Sequence, residues 1–227
     1  MSEKTKPRFR TCYSVYFADA YPFDSLAERT ELVRDELSIT DVNSFLVLHG
    51  GTDISPTLYG ETAHPRTDVS KPTQRDMLEV ACVKHAVKLG IPILGICRGA
   101  QMLCALNGGK LVQHVIGHQS GHHTIRTYDG KTMNTNSVHH QMMFPWGTDY
   151  ELLAWSEGIS SVYHGSKAVD ISFPKEAYKD AHANDPLEPE IIWFPSIKGF
   201  GVQGHPEWAD SLPTFQNYVT DEFLKRV

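Results

Sequence analysis

A chain of 227 residues, 41% hydrophobic and 21% charged, has the composition of an ordinary globular protein and enough material for a sizeable core. Its formal net charge of −6, without a dense Lys/Arg cluster, argues against direct nucleic-acid binding, and no apolar run reaches the length of a membrane helix. The polar, basic start MSEKTKPRFR lacks the apolar centre of a signal peptide, and none of the four cysteines forms a CxxC pair, so a cytoplasmic protein without disulfides is expected.

Phe9 to Phe17 reads as a first strand. Asp24-Ser25 then reads as a helix start, with Ser25 and Glu28 spaced as a capping box. Phe45 to Leu48 is a short apolar run of the kind found in buried parallel strands, and it breaks at Gly50-Gly51. Beyond a Pro/Thr-rich loop, Thr73 caps a helix in which Met77, Leu78, Ala81, Val87 and Leu89 recur at helical spacing. Gly90 and Pro92 close that helix and open a strand, Ile93 to Ile96. A further helix from Arg98 to about Leu106 stops at Asn107-Gly108-Gly109.

In the second half, Asp129-Gly130 predicts a hairpin between Thr124–Tyr128 and Lys131–Thr135. Tyr150–Trp155, Glu190–Phe194 and Phe200–Gln203 are strand candidates, Lys175–Pro189 reads as a loop or lid, and Asp210-Ser211 precedes a last amphipathic helix. Without repeats or a low-complexity linker, residues 1–227 are expected to form one α/β domain.

Cys97 is the cysteine placed where strand becomes helix. There the positive end of the helix dipole favours a thiolate, and the backbone N–H of Arg98 is positioned as an oxyanion donor. Gly95 and Gly99 flank Cys97 as in a nucleophile elbow. A base is offered by His205 at the end of a strand, with Glu207 two residues on to orient its imidazole. A second oxyanion donor is expected from Gly50 or Gly51, at the carboxyl end of its strand, where open α/β sheets bind ligands.

Gly95-Ile96-Cys97-Arg98-Gly99-Ala100-Gln101 followed by His205-Pro206-Glu207 resembles the class I glutamine amidotransferases. Within them, Leu48-His49-Gly50-Gly51-Thr52-Asp53, Arg75-Asp76 with Glu79, and Ser137-Val138-His139-His140-Gln141 are most similar to the γ-glutamyl-γ-aminobutyrate hydrolase (peptidase C26-like) branch. The resemblance implies a flavodoxin-like α/β fold with a mainly parallel central sheet and a small β-rich extension. It also implies attack by Cys97 on a γ-glutamyl amide to form a thioester, with His205 relaying protons and Glu207 orienting it. Gly50, Gly51 and Arg98 would hold the oxyanion, and Gln101 with the backbone of Val138-His139 the glutamyl end. No cofactor is implied, and the expected ligand is a small γ-glutamyl compound. The alternatives are a glutaminase subunit delivering ammonia to a separate synthetase, and an inactive relative that binds a γ-glutamyl ligand or a protein partner.

Two positions depart from the pattern. Thr52 replaces the last residue of a glycine triplet, and Gly204 replaces a bulky aromatic residue, which predicts open space beside His205 and, with it, a wider leaving-group pocket or a site completed by a partner. His114, His118, His122 and His123 have a spacing that invites a metal, but Gly117 and Gly121 interrupt it. They are read as loop histidines at the pocket rim, and no metal is expected.

Overall fold

The computed structural model describes residues 8–157, 162–164 and 187–227. In chain order the elements are β1 (Phe9–Val15), β2 (Ala27–Val33), β3 (Ser44–Leu48), α1 (Gln74–Leu89), β4 (Ile93–Ile96) and α2 (Arg98–Leu106). Then follow β5 (Lys110–Val112), β6 (His114–Ile116), β7 (His122–Thr127), β8 (Thr132–Asn136), β9 (Met142–Phe144), β10 (Glu151–Glu157) and β11 (Val162–His164). β12 (Leu187–Phe194), β13 (Gly199–Val202) and α3 (Pro213–Arg226) complete the described set.

Nine strands form one sheet in the order β2-β1-β3-β4-β13-β12-β10-β7-β8. The pairings from β2 through β13 are parallel, and those from β13 through β8 are antiparallel. Counted along the chain, the parallel half has the 2-1-3-4-5 order of flavodoxin-like folds, and the β-rich extension continues the same sheet. The inner parallel strands β1, β3, β4 and β13 are buried on both faces. Tyr13, Leu46 and Leu48 pack with Cys82, Val83 and Ala86 of α1 and Met102 and Leu103 of α2. Cys12, Phe45 and Val47 meet Phe215, Val219 and Phe223 of α3 on the other side. That double burial is why these strands read as unbroken apolar runs.

The helix expected after Asp24 does not form. Ser25 Oγ donates to the Pro22 carbonyl instead of capping, Phe23–Leu26 makes a short 3₁₀ turn, and Ala27–Val33 is the edge strand β2, paired with β1 from Phe9↔Ala27 to Val15↔Val33. The local S-x-x-E signal is outweighed by backbone pairing across the sheet.

α1 is capped as expected: Thr73 Oγ1 accepts from Asp76 N at 3.1 Å, and Asp76 returns the bond to Thr73 N at 2.8 Å. Its buried face is not the anticipated one. Met77 and Val87 are exposed, while the carboxylates of Asp76 and Glu79 are fully buried. The expected Lys175–Pro189 loop lies outside the described residues up to 186; Leu187 to Pro189 already belong to β12. No described helix is long and apolar enough to cross a membrane.

Candidate active site

Phe17, His49-Gly50, Cys97 and His205 all follow the carboxyl ends of neighbouring parallel strands, where this architecture opens a crevice. Cys97 joins β4 to α2 with φ 50° and ψ −105°, a left-handed conformation unusual for a side chain bearing a Cβ. The strain is held from both sides. The Cys97 N–H donates to Val202 O at 2.7 Å, and the flanking glycines permit contacts no other residue would allow. A Cβ on Gly95 would lie 2.5 Å from the Gly99 carbonyl, and one on Gly99 would lie 2.2 Å from Leu48 O. The elbow glycines are therefore a steric requirement of this turn.

His205 is held at its backbone by Asn136, whose side chain accepts from His205 N at 2.7 Å and donates to His205 O at 2.9 Å. Its ring Nδ1 meets Glu207 Oε1 at 2.7 Å, and its ring stacks on Trp208 at 4.3 Å. Nε2 has no hydrogen-bond partner at rest, and the Cys97 side chain is near enough to act on the ring's charge. Burial disfavours charge on this imidazole, but interactions with Cys97 and Glu207 and their negative charges overcome it, lifting the pKa to about 10. The group has a folded pKa above its ordinary 6.5, so its stabilisation is complete below pH 6.5 and is lost as pH rises through about 10. In NMR titrations, the His205 ring should titrate well above 6.5, and its midpoint should fall in Glu207→Gln. An unchanged midpoint would show that Glu207 does not hold the proton.

Gly50 touches both partners: a Cβ built there would lie 2.7 Å from His205 Cε1 and 3.6 Å from Cys97 Cβ. Arg75 Nη2 donates to the carbonyls of His49 at 2.8 Å and Gly50 at 3.0 Å. In a trans peptide the N–H points opposite to the C=O, so Arg75 turns the N–H groups of Gly50 and Gly51 away from itself. The Arg98 N–H belongs to the first turn of α2, which has no partner within the helix.

A pocket of about 260 Å³ beside Cys97 is lined by Gly51, Gln101, Val138 and His139 among others. Gln101 Nε2 donates to Gln141 O at 3.0 Å, and the His139 N–H is committed to His118 O at 2.9 Å. That N–H is therefore not free for a ligand in the pocket. A larger cavity of about 700 Å³ is lined by His205 itself with Phe17, Tyr21, His49, Glu207 and Trp208. His49 bonds Ser14 Oγ at 2.8 Å, and burial pushes its pKa down to about 4.

Several features lay beyond sequence reasoning. The Arg98 side chain, 1% exposed, runs between α2 and α1 and pairs with both Asp76 and Glu79, which makes those carboxylates core residues. Asn136 had no recognised role, although it directly precedes Ser137-Val138-His139. Nor are the four spaced histidines rim loops: His118 is fully buried, His114 lies on β6, and His122 and His123 lie on β7. Cys12, Cys82 and Cys104 are buried, and burial lifts each thiol to about 12.

Gly204 does not open space. A Cβ there would lie 2.1 Å from Thr135 Oγ1, 3.1 Å from Asn136 O and 3.2 Å from Phe215 Cζ. The missing ring is replaced by β8, which packs against the backbone and carries Asn136 to His205. Gly204→Ala should cost about 1–3 kcal/mol in chemical denaturation, from overpacking, and Gly204→Trp more. Wild-type stability in Gly204→Trp would restore the open-space reading.

The flavodoxin-like sheet with a cysteine elbow, a histidine–carboxylate pair and glycines at adjoining strand ends defines a class I glutamine amidotransferase. Within that class the chain belongs to the Peptidase C26 family, whose model matches residues 30–207. It is 30% identical to the glutamine amidotransferase-like protein YvdE of Lactococcus lactis, over 86% of this chain and 78% of that one. Among solved structures, a glutamine amidotransferase from Thermotoga maritima aligns with TM-score 0.54 and 16% identity, covering 96% of this chain and 85% of that one. A GMP synthase component from Thermoplasma acidophilum aligns with TM-score 0.60 and 14% identity, covering 96% of this chain and 94% of that one. At such identities the structural likeness concerns the fold.

Proposed function

We propose that this protein hydrolyses a γ-glutamyl amide through a thioester on Cys97, in the cytoplasm, with residues 1–227 acting as one amidotransferase-like domain. The observation that carries the reading is the strained Cys97 elbow beside an imidazole whose other nitrogen is held by Glu207 at 2.7 Å. The thiolate attacks the amide carbon, and the N–H groups of Arg98 and of Gly50 or Gly51 take up the charge developing on oxygen. His205 then gives its proton to the leaving nitrogen, and the C–N bond breaks. Water, deprotonated by His205, attacks the thioester and releases glutamate and the free thiol. Gln101 and Val138 bind the glutamyl end in the smaller pocket, with the His139 side chain forming part of its wall. The leaving amine departs on the His205 side, where the larger cavity lies.

That cavity favours a stand-alone hydrolase of a γ-glutamyl amine, since ammonia needs no such volume. Purified protein should release amine from γ-glutamyl amine conjugates with kcat/KM at least tenfold above its ammonia release from glutamine. Glutamine turnover that appears only when a synthetase is added would support the ammonia-delivering role instead. No turnover of either class, and no labelling of Cys97 by a glutamine-analogue electrophile, would leave a binding protein.

A further inference from the structure

Behind the smaller pocket, and sharing His139 with its wall, lies a second cluster whose groups take no part in the proposed bond-making and proton transfers. His118, His139 and Glu190 each bring one ligand-type atom to within 4.8 Å of the other two, and they are 0%, 4% and 1% exposed. On two of these residues an atom is buried without any hydrogen-bond partner: His139 Nε2 and Glu190 Oε2. A buried polar atom left unpaired is costly, and two on residues that cluster in this way point to a missing common partner.

Each side chain is also anchored so that one lone pair is left over. His139 Nδ1 bonds Gln141 O at 2.8 Å; a carbonyl only accepts, so the hydrogen is on Nδ1 and Nε2 carries the lone pair. His118 Nε2 meets Glu188 Oε2 at 2.9 Å, which likewise places its hydrogen there. Ser137 Oγ is 3.2 Å from His118 Nδ1, but its one hydrogen goes to His118 O at 2.8 Å, so the hydroxyl has none to offer Nδ1. Glu190 Oε1 accepts from His123 at 2.8 Å and Ser156 at 3.3 Å, leaving Oε2 for a further contact. A histidine whose second nitrogen is fixed by a carboxylate or carbonyl is the arrangement proteins use to orient metal ligands.

We propose that His118 Nδ1, His139 Nε2 and Glu190 Oε2 bind a divalent transition-metal ion of the zinc type. Two imidazoles and one carboxylate form a ligand set suited to zinc, with the fourth position taken by water. The ion joins the segment after β8, which lines the Cys97 pocket, and the β6–β7 connection to β12 of the antiparallel half. Its role is structural, because the proposed reaction proceeds wholly on Cys97 and His205.

The test uses the purified 227-residue chain, stripped with a chelator and titrated with Zn²⁺ and, separately, Co²⁺. About one equivalent should bind. Zinc should raise the unfolding temperature, and the cobalt form should show d–d absorption without a thiolate charge-transfer band. His139→Gln and Glu190→Gln should weaken zinc binding at least tenfold, while His122→Ala and Cys97→Ala should not. Absence of stoichiometric binding to the folded wild-type chain, or no change in its unfolding temperature with zinc, would overturn the site in favour of a buried ion-pair network. So would a thiolate band, or equal retention of zinc by both ligand variants. The wild-type titrations decide the matter even where a variant does not fold.

Discussion

Cys97→Ala is expected to lower turnover of a γ-glutamyl amide by about ten-thousandfold or more, because the nucleophile and its base act as one unit whose loss is not made up by the remaining groups. The fold should tolerate the change. The side chain is 6% exposed, and alanine meets the same positive φ without adding atoms to the elbow. The loss should thus appear in kcat with little change in denaturation midpoint. The same variant removes a negative partner of His205, so the raised imidazole pKa should fall as well. Retention of more than a hundredth of the wild-type rate by folded Cys97→Ala would place the nucleophile elsewhere.

The second large effect is on stability. Arg98→Met should destabilise the protein by about 3–5 kcal/mol, because it strands Asp76 and Glu79 in the core without the guanidinium that bridges them. Arg75 bonds Glu79 Oε1 at 2.8 Å and offsets part of the loss at that carboxylate, so Asp76 is the more exposed to it. Neutralising both acids in the background of Arg98→Met, with Asp76→Asn and Glu79→Gln, should recover much of the loss. Arg98→Lys should not, since an ammonium does not reproduce a fork that reaches two carboxylates. Denaturant titrations of the four proteins check this. A loss below 1 kcal/mol in Arg98→Met would show that the triad does not hold α1 against α2. Because Arg98 directly follows Cys97, the same ion pairs fix the start of α2 on which the elbow depends.

What was legible in the sequence was local. The β3 run ending in Gly50-Gly51, the Thr73 cap, the Gly95–Gly99 elbow and the Asp129-Gly130 hairpin each depend on residues a few positions apart, and all formed. Distant pairings were not legible. β2 carries a genuine capping signal that only its ladder with β1 overrides. The apolar stripe of α1 misled because a buried arginine makes Asp76 and Glu79 the inward face. Asn136 binds His205 across 69 residues, and its position before Ser137 gave no local hint of that. Gly204 showed the same limit: a missing side chain looked like empty space, whereas Thr135 and Asn136 occupy it. The histidines His118 and His139 found their company only when β12 brought Glu190 to them.

The thioester is tested most directly by quenching the protein in acid during turnover of a γ-glutamyl amide and mapping the adduct by mass spectrometry. A single glutamyl group on Cys97, discharged by hydroxylamine and absent in Cys97→Ala, is the expected result. Steady turnover by the wild type with no glutamyl adduct on Cys97, or with the adduct on another residue, would contradict nucleophilic attack by this cysteine.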